Sequence, residues 1–161
     1  MMLPKVYIET SVVSYLTAWP SREKTVLENQ TITKEWWRTC RERFELFASD
    51  LVETEAMRGD PQAAEERLDV LATITGLTTT EAAQRLAKTL IRAGAIPEVA
   101  ADDALHVAIA AVNGMDYLVT WNLRHINNET KLAEIGEACR LAGFESPIIC
   151  SPRDLKEKEH V

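Results

Sequence analysis

The chain has 161 residues, of which 46% are hydrophobic and 27% are charged, and these values fit one globular domain with a core of normal size. Its formal net charge of −7 is the opposite of the basic balance of most nucleic-acid-binding proteins, and no apolar run is long enough to span a bilayer. The N-terminus lacks the pattern of a signal peptide, and three cysteines without a CxxC pair predict reduced thiols rather than a zinc site. We therefore expect a cytoplasmic protein with no membrane association.

The first part of the chain opens on a short strand. Lys5–Ile8 is a continuous β-branched and aromatic run, typical of a central parallel strand, and Glu9 follows at its carboxyl end. Thr10 or Ser11 can cap the helix that follows. The further elements predicted up to residue 61 are, in chain order, a helix over 12–17, an ordered loop or frayed segment over 21–30, an amphipathic helix over 31–47 and a helix over 51–56.

The rest of the chain alternates helices and strands, and Thr80 and Asn128 are suited to cap two of the helices. The elements predicted here are helices over 62–71, 81–93 and 102–112, a helix that ends at 143, and strands over 72–77, 117–120 and 147–150. Strands separated by helices predict an α/β fold, a three-layer α/β/α sandwich with a central, mainly parallel sheet. We expect a single domain over residues 1–153 and a charged, disordered tail over 154–161.

Several acidic residues share one context, the boundary between a strand and a helix or the first turns of a helix. Glu9 follows the first strand, and Glu55 lies on a short helix with Glu53 nearby. Asp103 opens an apolar helix, and Asp102 is beside it. The carboxyl ends of parallel strands meet at one edge of a sheet, where converging carboxylates could hold Mg²⁺ or Mn²⁺. Such an ion can activate water and stabilise charge on a phosphoryl group.

Each of these acids also has a simpler interpretation. Asp102 and Asp103 could cap a helix and complement its dipole. Glu53 and Glu55 could belong to a solvated helix face. Glu9 is harder to explain in this way, because charged residues close to a core are rarely buried unless they are paired. The residues alone leave these alternatives open.

Histidine and tryptophan residues raise the same question. His106 shares a helix face with Asp103, and it fits a hydrogen-bonded core histidine better than a metal ligand. Trp36 and Trp37 fit core packing and an interface better than a platform on which bases stack.

Four segments together resemble the PIN-domain family. They are VYIETSVVSYL, an acidic residue ahead of RGDP, DALHVAIA and LVTWNLRHI, and the match spans residues 3–150. More narrowly, the chain is similar to the ribonucleases that act as toxins in VapBC-type toxin–antitoxin pairs. The resemblance implies a three-layer α/β/α fold and a cluster of acidic residues that binds Mg²⁺ or Mn²⁺ and cuts single-stranded RNA.

The resemblance also assigns positions. The first three acids of the family fall on Glu9, on Glu55 with Glu53 as the second choice, and on Asp103. The fourth, commonly Asp, falls on Asn122, whose amide carbonyl can bind a metal ion or orient water but brings no charge. One bound metal ion is therefore better supported than two.

Other residues receive supporting roles from the same resemblance. Thr10 and Thr120 are expected to support the site, Thr120 by hydrogen bonding within it. His125 is expected to steady its loop or to meet a phosphate. Asp102, beside the third acid, is left as the cap of its helix.

The resulting prediction is a metal-dependent endoribonuclease, the toxin of a VapBC-type pair, whose catalytic residues are Glu9, Glu55, Asp103 and Asn122. The resemblance implies an RNA substrate, a small antitoxin and a homodimer, with the Trp36–Trp37 helix as a candidate interface. The alternative, motivated by Asn122 and the acidic net charge, is a catalytically weak or inactive PIN-like module that binds nucleic acid or protein. A nucleotide-binding or phosphoryl-receiver domain ranks lower, because the chain has neither GxxxxGK[ST] nor GxGxxG.

Overall fold

The structure, a computed structural model, describes residues 2–158, apart from the side chains of residues 157 and 158. The strands are β1 Lys5–Ile8, β2 Glu45–Ser49, β3 Thr75–Leu77, β4 Tyr117–Val119 and β5 Ile148–Cys150. The helices are α1 Thr10–Thr17, α2 Lys24–Arg43, α3 Asp50–Ala56, α4 Pro61–Leu71, α5 Glu81–Arg92, α6 Ala101–Val112, α7 Leu132–Leu141 and α8 Pro152–Lys158. No helix among the described residues is both long enough and apolar enough to cross a membrane.

The strands form one sheet in the order β3-β2-β1-β4-β5, and every neighbouring pair is parallel. β1 lies in the middle, and its residues Val6, Tyr7 and Ile8 are fully buried. Among the helices, α1 packs against α2, α3 and α4, while α5 packs against α6 and α7. The predicted α/β sandwich with a parallel central sheet is confirmed.

The register of the sheet places three chain segments at one edge. Ile8 of β1 is opposite Val119 of β4, and Tyr7 of β1 is opposite Phe47 of β2. Because these strands are parallel and neighbouring, their carboxyl ends emerge together. The backbone N–H of Glu9 donates to the carbonyl oxygen of Val119 at 3.1 Å, which fixes the end of β1 against the end of β4.

The predicted helix over 31–47 is wrong in its last residues, which form strand β2. Phe44 ends α2 in an extended conformation, and Leu46 and Phe47 are buried between neighbouring strands. Hydrophobic residues at 36, 40, 44 and 47 keep a helical spacing across this boundary. A short apolar run cannot be assigned to a strand or a buried helix by periodicity alone, and here pairing with β1 decides.

The predicted loop over 21–30 is also wrong, because α2 begins at Lys24. The Glu23 side chain caps the helix by accepting hydrogen bonds from the backbone N–H groups of Thr25 and Val26. Gln30, a buried polar residue, bonds the backbone of Trp19 and of Ser21. The first turns of this helix are mostly polar, so they lack the apolar stripe from which a helix is predicted.

Helix starts differ from prediction at two further places. α1 starts at Thr10, and its cap is Glu9 rather than Thr10 or Ser11. α7 starts at Leu132, because Asn128 uses its side chain to accept from Thr130 in a turn instead of capping the helix.

α6 and the C-terminal segment differ as well. α6 follows a short 3₁₀ turn and has no side-chain cap, so Asp102 is not the cap and lies instead 3.9 Å from Arg58 in an exposed ion pair. Residues 154–158, predicted to be disordered, belong to α8, where Leu155 is buried. Residues 159–161 of the predicted tail lie outside the described residues.

The two neighbouring tryptophans of α2 have different environments. Trp36 is 1% exposed and belongs to the core, whereas Trp37 is half-buried and packs against the guanidinium of Arg41, 5.0 Å from its ring centre. The predicted interface at this helix therefore cannot include the Trp36 side chain, whose burial is ordinary core packing.

Candidate active site

Three predicted acids lie near the carboxyl edge of the sheet. Glu9 directly follows β1 and is 6% exposed, while Glu55 on α3 and Asp103 in the first turn of α6 are half-buried. Glu9, Glu55 and His106 each offer one ligand atom, and these atoms lie within 4.8 Å of one another. Asp103 lies close enough for the charge of Glu9 to raise its pKa. The fold therefore brings together Glu9 and His106, which are 97 positions apart in the sequence.

Glu9 is held by donors from two elements. Its Oε2 accepts the backbone N–H of Ser11 at 3.1 Å, which caps α1. Its Oε1 accepts the Ser11 hydroxyl and, at 2.5 Å, the hydroxyl of Thr120 at the end of β4. A buried carboxylate is costly unless it is hydrogen-bonded, and these donors compensate its burial.

Glu55 is held by donors that converge on one of its oxygens. Its Oε1 lies 2.5 Å from the Thr10 hydroxyl and 2.6 Å from Nε2 of His106. Burial by itself raises the pKa of Glu55, but the hydrogen bond and charge of His106 and the Thr10 hydroxyl outweigh it. The net pKa is lowered, so Glu55 is a carboxylate at neutral pH.

His106 has a hydrogen-bond partner at each ring nitrogen. Nε2 faces Glu55, and Nδ1 lies 2.7 Å from the hydroxyl of Tyr7, which is 2.8 Å from Oγ of Ser49. Burial lowers the pKa of His106, but the hydrogen bond to Glu55 and the nearby negative charges raise it more. His106 is thus a hydrogen-bonded core histidine, as its sequence context suggested.

The sequence interpretation did not place Tyr7 or Ser49 near the site. Both are buried, Tyr7 on β1 and Ser49 at the end of β2. A polar group inside an apolar strand was the available signal, because a buried tyrosine hydroxyl normally requires a partner.

Asn122 is placed beside Asp103 but uses its side chain for hydrogen bonds within the protein. Its Oδ1 accepts the backbone N–H of His125 at 3.0 Å, and its side chain hydrogen-bonds Asp103. Its own backbone N–H donates to Oγ1 of Thr120 at 2.9 Å. The amide therefore fixes the loop after β4 and the carboxylate of α6.

The ionisation of Asp103 depends on several opposing effects. Burial raises its pKa most strongly, and the charge of Glu9 adds to the rise. Asn122 and the two neighbouring histidines, His106 and His125, lower it without cancelling the rise. A cation near this carboxylate would favour its ionised form.

The remaining predicted residues differ in position. Glu53, the second choice for the second acid, is exposed, because two positions along a helix turn a side chain by about 200° away from that of Glu55. His125 lies near enough to Asp103 to lower its pKa, and its backbone is bound by Asn122.

Comparison with known proteins gives matches at the level of structure. No family model matches the sequence, and no curated protein matches it. A chain of the structure of VapBC2 from Rickettsia felis, bound to a DNA fragment from their promoter, superposes with a TM-score of 0.59 at 13% identity, covering 91% of this chain and 97% of that one. VapC20 from Mycobacterium tuberculosis, a Sarcin-Ricin loop cleaving toxin, superposes with a TM-score of 0.55 at 14% identity, covering 87% of this chain and 96% of that one. The chain has a VapC-like PIN-domain fold.

Within this VapC-like fold, the donor chemistry of the edge fits a hard divalent cation. Mg²⁺ and Mn²⁺ accept carboxylate oxygens with water, and Glu9, Glu55 and Asp103 offer such oxygens. His106 is a less suitable ligand, because both of its ring nitrogens are already hydrogen-bonded. A cation would also offset the repulsion between carboxylates that the fold has brought together.

Proposed function

We propose that this protein is a metal-dependent endoribonuclease that cuts single-stranded RNA, acting as the toxin of a VapBC-type pair. The observation that carries the proposal is the convergence of Glu9 and Glu55 at the carboxyl edge of a VapC-like sheet, with Asp103 within electrostatic range of Glu9. VapC20, one of the structures with this fold, is itself described as a toxin that cleaves the Sarcin-Ricin loop.

In this proposal Glu9, Glu55 and Asp103 hold Mg²⁺ or Mn²⁺. When bound, the cation lowers the pKa of water and neutralises charge on the phosphate under attack. The protein orients the carboxylates: Ser11 and Thr120 fix Glu9, and Asn122 fixes Asp103.

The charge at the site favours one cation. Asn122 stands where the family commonly has a fourth acid, and its carbonyl oxygen is bound to the backbone of His125. Three carboxylates carry at most three negative charges, which neutralise one divalent cation with excess but leave a second one poorly compensated.

The proposed partners are RNA, a small antitoxin and a second copy of the chain. Leu123, which directly follows Asn122 in the sequence, is apolar yet 58% exposed. Exposed apolar side chains near a functional site are suited to contact another protein chain. Cys40, Cys139 and Cys150 are buried thiols that form no disulfide among the described residues, which fits the cytoplasm as the proposed compartment.

A cleavage assay with matched variants tests the proposal. The purified chain is mixed with end-labelled single-stranded RNA and Mg²⁺ or Mn²⁺, with and without EDTA. We expect Glu55→Gln to lower the rate by about 100-fold or more, because a metal ion provides several kcal/mol of transition-state stabilisation. Glu53→Gln, an exposed change on the same helix, is the control and should cut like the wild type. Cleavage that survives EDTA, or wild-type cleavage by Glu55→Gln, contradicts the proposal.

The second candidate is a PIN-like binding module without efficient catalysis. It is favoured by Asn122 at the fourth position and by the net charge of −7, which disfavours tight binding of RNA phosphates. Calorimetric titration with Mn²⁺ separates the two candidates. Binding that Glu9→Gln abolishes favours the nuclease, whereas no binding by the wild type at millimolar Mn²⁺ favours the module.

A further inference from the structure

We infer that His106 is a positioning residue for Glu55: its Nε2–H holds Oε1 of that carboxylate, and Tyr7 and Ser49 lock the imidazole in the orientation that this requires. The inference rests on the proposed role of Glu55 as a metal ligand. It adds three residues to the site that do not themselves touch the cation.

The four groups form a continuous path of short hydrogen bonds. Ser49 Oγ lies 2.8 Å from the Tyr7 hydroxyl, which lies 2.7 Å from His106 Nδ1, and His106 Nε2 lies 2.6 Å from Glu55 Oε1. Tyr7, Ser49 and His106 are each at most 1% exposed. Buried polar groups that satisfy one another keep a unique geometry, since breaking any link leaves an unpaired group away from water.

The path closes on the helix that carries Glu55. The same Oγ of Ser49 accepts the backbone N–H of Val52 at 3.3 Å and so caps α3. The position of α3 at its N-terminus and the position of its Glu55 side chain are therefore tied to the same three buried residues. β1, β2 and α6 each contribute one of them, Tyr7, Ser49 and His106.

The hydrogens can be assigned in one consistent direction. In an assignment that pairs every group, the Ser49 hydroxyl accepts from the backbone N–H of Val52 and donates to Tyr7. In the neutral imidazole the Tyr7 hydroxyl donates to Nδ1 of His106, and in either charge state Nε2–H donates to the Glu55 carboxylate, which can only accept. This arrangement leaves neither nitrogen of His106 with a lone pair for a cation.

The arrangement also distinguishes the two oxygens of Glu55. Oε1 accepts from both Thr10 and His106, whereas no residue that the structure describes donates to Oε2. The pair of donors thus restrains the carboxylate and leaves one oxygen for a cation. Removing a residue that hydrogen-bonds a metal ligand without touching the ion typically weakens the affinity of the protein for the metal about 10-fold to 100-fold.

Two amide variants of the histidine separate positioning from packing. In His106→Gln, the amide nitrogen reaches as far from the backbone as Nε2 and can still donate to Glu55. In His106→Asn, the amide reaches only as far as Nδ1 and keeps the contact with Tyr7 instead. Mn²⁺ affinity is measured by calorimetry on the full chain, and the folded state is checked by thermal unfolding without metal.

We expect His106→Asn to weaken Mn²⁺ binding by about 10-fold or more and His106→Gln to stay within about 3-fold of the wild type, because only glutamine restores the donor to Glu55. Equal affinities for the two variants, whether both unchanged or both weakened, overturn the inference. A merely structural histidine predicts that affinity does not separate the two amides.

If His106→Asn does not fold, a second variant, Tyr7→Phe, tests the inference instead. Tyr7→Phe removes the hydroxyl that locks Nδ1 and keeps the aromatic ring in the core. A loss of Mn²⁺ affinity of about 3-fold or more supports the inference, and unchanged affinity overturns it. Failure of the proposed function gives a different result. If the wild-type chain binds no Mn²⁺, both the proposed metal-dependent function and the positioning role of His106 are contradicted. If the wild type binds Mn²⁺ and these substitutions have no effect on its affinity, only the positioning role is contradicted.

Discussion

Thr120 donates its hydroxyl hydrogen to Oε1 of Glu9 at 2.5 Å, across 111 positions of sequence. The contact joins the ends of β1 and β4, and both residues are buried. Thr120 also accepts from the backbone of Asn122, so one hydroxyl links a predicted ligand to the loop that holds Asp103.

Removing this hydroxyl should weaken both the fold and the site. Thr120→Val keeps the shape of the side chain but leaves Glu9 with one donor fewer, and we expect the free energy of unfolding to fall by about 1–3 kcal/mol. Urea unfolding measures this change. Thr120→Ser keeps the hydroxyl and is the control, expected to be closer to the wild type. If the Thr120→Val and Thr120→Ser variants are equally stable, the hydrogen bond to Glu9 is not an important stabilising contact.

A fourth carboxylate should make the protein more dependent on metal. In Asn122→Asp the acceptor for the His125 backbone is kept, but the amide bonded to Asp103 becomes a second negative charge. Without metal we expect the free energy of unfolding to fall by about 1 kcal/mol, because a hydrogen bond is replaced by repulsion. With millimolar Mn²⁺ the variant should gain more stability than the wild type does, as thermal unfolding would show. Equal gains in the two proteins contradict this prediction.

Asp50 should contribute a pH-dependent part of stability. The backbone N–H and hydroxyl of Thr79 both donate to it. Burial raises the pKa of Asp50, but these bonds and backbone N–H groups of α3 lower it to below its usual value of 3.8. A lowered pKa in the folded state means that the contribution is complete above the unfolded pKa and is lost as the pH falls through the folded one.

The test compares the wild type with Asp50→Asn by urea unfolding at pH 7, 4 and 2.5. The difference in stability between the two proteins should be largest at pH 7 and shrink below pH 4. At pH 7 the difference should be only about 0.5 kcal/mol, because Asp50 is exposed and water screens its interactions. A difference in stability that grows as the pH falls would contradict a lowered pKa of Asp50 in the folded state.

The two tryptophans of α2 should differ in their effect on stability. Trp36→Ala empties a core position and should lower the free energy of unfolding by about 3–5 kcal/mol. Trp37→Ala removes a half-buried ring next to Arg41 and should cost clearly less. Urea unfolding measures both. Similar losses for the two variants would contradict the assignment of Trp36 alone to the core.

The strand Lys5–Ile8 and the helix that begins after Thr80 could be predicted from the sequence. A run of β-branched and aromatic residues, or a threonine before an apolar stripe, acts through local sterics and local hydrogen bonds, so neighbours in sequence carry the information. The same holds for the acids at the boundary between strand and helix, since Glu9 and Asp103 are placed by the ends of their own elements.

β2 could not be predicted, because Leu46 and Phe47 become a strand only through pairing with β1 and β3. The first turns of α2 were missed for a related reason, since Gln30 is buried by bonds to the backbone of Trp19 and Ser21 that a hydropathy pattern does not contain.

What the sequence by itself determined is therefore the kind of fold and which acids stand at the ends of its elements. Only the tertiary structure decided how those acids are held, with Thr120 on Glu9, His106 on Glu55 and Asn122 on Asp103. The physical reason is that these contacts join residues brought together by the register of a parallel sheet. A hydrogen bond requires its donor and acceptor to be placed to within a few tenths of an ångström, and no spacing along the chain specifies such a placement.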